Sequence, residues 1–132
     1  MVLARLLRFL AVIALFATPA VAAETNGYAQ PFSAAAFETA VRSGEPVLVE
    51  VAADWCPTCR AQQAILSDLL DAPEYARLKV FEVDFDAQKD VVRSLNARMQ
   101  STLIVFSGGA EVGRSVGDTS PDGIRDLVRS AL

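Results

Sequence analysis

The chain has 132 residues, with 12 Lys and Arg against 16 Asp and Glu, and no histidine. A net charge of −4 argues against nucleic acid as a partner, and the length suits one folded domain rather than two. With two cysteines and no histidine, one copy of the chain cannot complete a four-ligand metal site from cysteine and histidine alone.

Residues 1–23 read as a secretory signal. Arg5 and Arg8 supply the positive end, Phe9 to Phe16 is unbroken apolar sequence, and Ala20-Val21-Ala22 is a small-x-small pattern with cleavage expected near Ala22 or Ala23. The apolar stretch from Phe9 to Ala23 is shorter than the roughly 20 residues needed to cross a bilayer, which argues against a retained anchor. The product would be periplasmic or secreted, and loss of the two arginines takes the net charge from −4 to −6. Residues 24–32 read as a linker or a short first strand, and residues 33–132 as one domain.

Ser33 can cap a helix running to about Ser43, with Gly44 as its stop. Pro46 to Ala52 is a valine-rich run of the kind found in central strands, buried on both faces. Cys56 to Leu70 follows as a helix, with Pro57 in its first turn and Ile65, Leu66, Leu69 and Leu70 as its apolar face. Leu78 to Asp84 is a strand, and Asp86 is expected to cap a helix to about Asn96. Thr102 to Phe106 and Ala110 to Val116 form a hairpin about Gly108-Gly109. Ser120-Pro121-Asp122 opens a last amphipathic helix. This alternation predicts an α/β fold: a central mixed sheet with helices on both faces.

The chemistry concentrates in Trp55-Cys56-Pro57-Thr58-Cys59. A helix begun at Cys56 sets the first sulfur beside free backbone N–H groups and the positive end of the helix dipole, which favours thiolate over thiol. Cys59 lies one turn on, on the same face, within reach of a disulfide. Such a pair can cycle between dithiol and disulfide. As a structural staple it would close too small a loop to constrain the unfolded chain much.

With its strand before and helix after, WCPTC resembles the active site of the thioredoxin family. Val83-Asp84-Phe85-Asp86 and STLIVF before a Gly-Gly turn extend the likeness over residues 33–132. The resemblance implies a thioredoxin fold, with Cys56 as the attacking cysteine and Cys59 as the resolving one. Trp55 would shield the disulfide. Trp55, Pro57, Thr58, Gln100, Ser101 and Thr102 would form the substrate-facing surface. Glu50 matches the family's buried acid and would take the proton of Cys59; on pattern alone, Glu50 could equally sit on a half-exposed strand and meet water. Two departures stand out. Ser101 holds the place of the family's cis-proline, so its loop could be trans and reshaped, with the hydroxyl near the sulfurs or simply a polar loop residue. Glu82 lies where a lysine is common, and alternation turns it towards solvent.

The leading expectation is an exported thiol–disulfide oxidoreductase that reduces protein disulfides as a monomer. It needs no metal or cofactor and draws electrons from a membrane thiol transporter. The alternatives are a thiol oxidase, a non-catalytic interaction domain, and a metal or iron–sulfur binder that dimerises through the two cysteines. In the last, Met99 is a possible soft donor, although a core position suits it better.

Overall fold

The computed structural model describes residues 26–132. The secretory signal expected over residues 1–23 lies outside them. In chain order the elements are β1 (Gln30–Pro31), α1 (Ala34–Arg42), β2 (Val47–Ala52), α2 (Pro57–Leu70), a 3-10 turn (Pro73–Tyr75), β3 (Lys79–Asp84), α3 (Lys89–Ser94), β4 (Thr102–Ser107), β5 (Ala110–Val116) and α4 (Pro121–Arg129). The strands form one sheet in the order β1-β3-β2-β4-β5. Strands β1, β3 and β2 run parallel, while β4 is antiparallel to β2 and β5 to β4. This is the expected mixed sheet, with β1 inside the segment read as a linker or short first strand.

Every residue of β2 is buried, as its valine-rich run predicts for a strand covered on both faces. Leu48 packs with Leu66 of α2 and Ile124 and Val128 of α4 on one side. Val47, Val49 and Val51 pack on the other with Ala40 of α1 and Val92 of α3. Gly108 and Gly109 have φ of +57° and +88°, which only glycine adopts without strain, and so close the β4–β5 hairpin. Ser33 and Ser120 cap α1 and α4 as expected.

The start of α3 differs from its sequence reading. Asp86 is not its cap; the helix begins three residues later, after Gln88. Asp84 accounts for the delay. Its Oδ1 accepts the N–H groups of Asp86 and Ala87 at 2.8 and 2.9 Å, and this local turn competes with helix. The Asp86 side chain is left free to bond elsewhere.

Phe32, Phe37, Phe81 and Phe106 meet ring to ring, with centroids 5.1–6.1 Å apart, beneath α1. Phe81 touches two of the other three rings and is almost fully buried. Replacing it with alanine should lower the unfolding free energy by about 3–5 kcal/mol, measured by urea denaturation. A loss under about 1 kcal/mol would show that the cluster is not a principal part of the core.

Candidate active site

Cys56 is the N-cap of α2. Its Sγ accepts the backbone N–H of Cys59 at 3.0 Å, a position usually held by a side-chain oxygen. Cys56 and Cys59 form a disulfide with Cα atoms 5.3 Å apart. Both residues are buried, packed with Ala52, Ala53 and Phe85. The sulfur pair therefore sits where the C-terminal end of β2 meets the N-terminal end of α2. Pro57 at the first helical position is exposed, and Thr58 is half-buried.

Trp55 is 58% exposed, yet its ring is tied down. Its indole N–H donates to Asp86 Oδ2 at 2.7 Å. Lys89 donates to the other oxygen of Asp86 at 3.3 Å and lies over the Phe85 ring at 4.0 Å. The Trp55 N–H and then Lys89 hold the Asp86 carboxyl below the usual carboxylate range. An exposed aromatic in a fixed orientation gives a partner protein a firm apolar contact. The side chain of Asp86 thus serves the tryptophan rather than the helix.

Glu50 has no exposed surface, so its strand is not the half-exposed one that the pattern also allowed. It shares the face of β2 that carries Leu48, packed against α2, and Ala52, packed against both cysteines. Its Oε2 accepts the Tyr28 hydroxyl at 3.0 Å, while Oε1 has no hydrogen-bond partner among the described residues. Burial pushes its pKa up to about 7. The Tyr28 hydroxyl pulls the other way, and the charge of Glu82 adds to the rise. Tyr28 is itself pushed up, by burial first and then by the charge of Glu50.

Glu82 is not simply turned to solvent. It stands in register with Glu50 on the neighbouring parallel strand, is half-buried, and accepts the Asn26 amide at 2.7 Å. Adjacent residues of paired strands share a face, so the alternation that buries Glu50 also draws Glu82 inward. Burial raises its pKa, and the Asn26 bond opposes the rise.

The loop before β4 is reshaped. Among the described residues no peptide bond is cis, and Ser101 takes φ +55°, a left-handed conformation that costs an ordinary residue about 1–2 kcal/mol. Its hydroxyl donates to Gln100 O at 2.6 Å, so it is turned to its own backbone and not to the sulfurs. Thr102 is buried, and its hydroxyl closes the loop on Met99 O at 2.7 Å. Met99 is 52% exposed and so is not a core residue. Gln100 is half-buried. Among the described residues no group of three or more Cys, Asp or Glu side chains could hold a metal ion.

Two site residues escape the sequence reading. Tyr28 comes from the segment before β1, with no local pattern to mark it. Gln62 is fully buried on α2, and its amide donates to Ser101 O at 3.1 Å and Asp118 O at 2.9 Å. A signal for Gln62 was present: Cys59, Gln62 and Leu66 follow helical spacing, which places a polar residue on the inward stripe.

A buried CxxC disulfide at a helix N-terminus, on a mixed sheet with an acid beneath the helix, defines a thiol–disulfide oxidoreductase of the thioredoxin fold. The family model described as Thioredoxin matches residues 29–130. Thioredoxin Asp f 29 of Aspergillus fumigatus is 32% identical over 64% of this chain and 78% of its own length. Thioredoxin-2 of Saccharomyces cerevisiae is 30% identical over 74% of this chain and 92% of its own. The crystal structure of Trxlp from Edwardsiella tarda EIB202 superposes with a TM-score of 0.72 at 47% identity, covering 74% of this chain and 95% of that one. The chain belongs to the thioredoxin family.

The raised pKa of Glu50 has a signed effect on stability. The folded state holds this proton more tightly than the unfolded chain, whose glutamates titrate near 4.3. The resulting stabilisation is complete below that value and is lost as pH rises through about 7. Glu50→Gln cannot ionise, so between pH 4 and pH 8 the wild type should lose roughly 3 kcal/mol more than the variant in urea unfolding of the oxidised forms. Parallel pH profiles would mean that Glu50 titrates as an ordinary carboxyl. Tyr28→Phe removes a bond that favours the carboxylate, so the Glu50 midpoint should move above that of the wild type, read from the carboxyl carbon shift by NMR. An unmoved or lowered midpoint would count against the Tyr28 contact.

Proposed function

We propose that this protein is exported and reduces disulfides in protein substrates, with electrons supplied by a membrane thiol transporter. The observation that carries the redox chemistry is the Cys56 sulfur at the N-cap of α2, accepting the Cys59 N–H. In the reduced protein the same N–H and the helix dipole favour the Cys56 thiolate. Export is supported by the signal-like residues 1–23, and reduction by a fold with no long helical insertion between α2 and β4. An oxidising compartment would drive the pair to disulfide, so a reductant there must draw electrons from across a membrane.

The steps balance as thiol–disulfide exchange. The Cys56 thiolate attacks one sulfur of a substrate disulfide; that S–S bond breaks, the leaving sulfur departs as thiolate, and a mixed disulfide forms. Cys59 then loses its proton, which the Glu50 carboxylate accepts, and attacks Cys56 Sγ. The mixed disulfide breaks, the second substrate sulfur leaves reduced, and the Cys56–Cys59 disulfide forms. With a pKa of about 7, Glu50 can hold or release a proton near neutral pH. The Trp55 ring and the Gln100–Ser101 backbone offer the surface on which a substrate chain would lie.

Equilibration of purified residues 24–132 with dithiothreitol buffers tests the direction. A potential near −270 mV is expected for a reductase, whereas a value near −120 mV would make the protein a thiol oxidase. Cys59→Ser, expressed with the native signal, should trap mixed disulfides with periplasmic proteins through Cys56. Retention of the variant in the cytoplasm, or absence of any trapped partner, would count against an exported reductase.

A further inference from the structure

Gln62 is a polar side chain without exposed surface on the inward stripe of α2. Its amide nitrogen serves two carbonyls, those of Ser101 and Asp118, while its Oε1 has no partner among the described residues. A leucine or methionine would fill the space without burying an unpaired oxygen, so packing alone does not account for glutamine here. The two carbonyls do. One belongs to the loop before β4, the other to the segment between β5 and α4. The N–H of Gly117, φ +71°, also donates to Ser101 O, at 2.8 Å. Three separate parts of the chain thus converge on one amide, one helical turn from Cys59 and on the same face. A left-handed serine persists only where its surroundings hold it, and Gln62 and Gly117 grip the carbonyl of that serine.

We propose that Gln62 is a positioning residue for protein substrates. By tying the Ser101 and Asp118 carbonyls to the helix that carries Cys59, it fixes the Met99–Ser101 loop relative to the redox pair. A substrate chain then docks on a preset edge formed by this loop, with exposed Met99 at its rim. A small disulfide, which reaches the sulfur without lying along the loop, has no need of the amide. Gln62 has this role only if the protein reduces protein disulfides, as proposed for the same site.

The test compares reduced wild type with Gln62→Leu and Gln62→Met, using insulin as the protein disulfide and hydroxyethyl disulfide as the small one. Oxidation is followed by the fluorescence of Trp55, the sole tryptophan. The rate constant with insulin should fall on the order of 10-fold in both variants, with the loss in apparent affinity rather than in the limiting rate. The rate with hydroxyethyl disulfide, and the equilibrium of Cys56–Cys59 with glutathione, should stay within about twofold. Equal losses with both disulfides, a shifted glutathione equilibrium, or an undiminished insulin rate would overturn the proposal. So would unfolding of both variants by circular dichroism, which would make the amide a structural group. A wild type inactive on insulin but active on hydroxyethyl disulfide would overturn the reductase reading as well, whereas variants matching an active wild type would overturn the role of Gln62 alone.

Discussion

A carboxyl group in the middle of a strand with no face in water is the constraint on which the rest of the site depends. Burying an ionised carboxylate without a full set of partners is expensive, and the fold answers by keeping the proton on Glu50 to near neutral pH. Among the described residues only one of its two oxygens is bonded, and the donor is a neutral phenol rather than a cation. A buried lysine partner would hold the group as a fixed anion. A phenol leaves it able to change state, and Glu82 in register on β3 biases it towards the protonated form.

The second organising feature is a division of labour at the mouth of the site. On one side, Trp55 is exposed and oriented by Asp86 and Lys89. On the other, Ser101 holds a left-handed turn, and its carbonyl is gripped from α2 and from Gly117. The disulfide itself is buried at the N-terminus of α2. Trp55–Asp86, Gln62–Ser101 and Gly117–Ser101 each join segments distant in sequence, the first two through side chains and the third backbone to backbone. Rigidity at the mouth therefore comes from tertiary contacts, with regular secondary structure behind it.

Sequence and structure agree most where a signal is local. The valine run of β2, the Gly108-Gly109 turn, the serine caps of α1 and α4, and Cys56 at the start of α2 each follow from a short stretch of chain. The reading fails where two local signals compete, as at Asp86, whose capping role is pre-empted by Asp84 two residues earlier. It fails again where a partner comes from far along the chain. The inward position of Glu82 needs the register with Glu50, and the two bonds of Gln62 reach loops 39 and 56 residues away. Ser101 shows a third limit: the missing proline was visible, but not which way the serine hydroxyl would turn.

The Tyr28–Glu50 bond also bears on where this domain begins. The family pattern starts at residue 29, just after the tyrosine. A fragment cut at that boundary would keep every strand and helix of the described residues, since β1 starts at Gln30. It would nonetheless lack the hydroxyl that bonds the buried acid and the Asn26 amide that bonds its neighbour Glu82. Architecture and proton chemistry therefore have different N-terminal limits in this chain. The segment leading into the first strand is, in chemical terms, already part of the site.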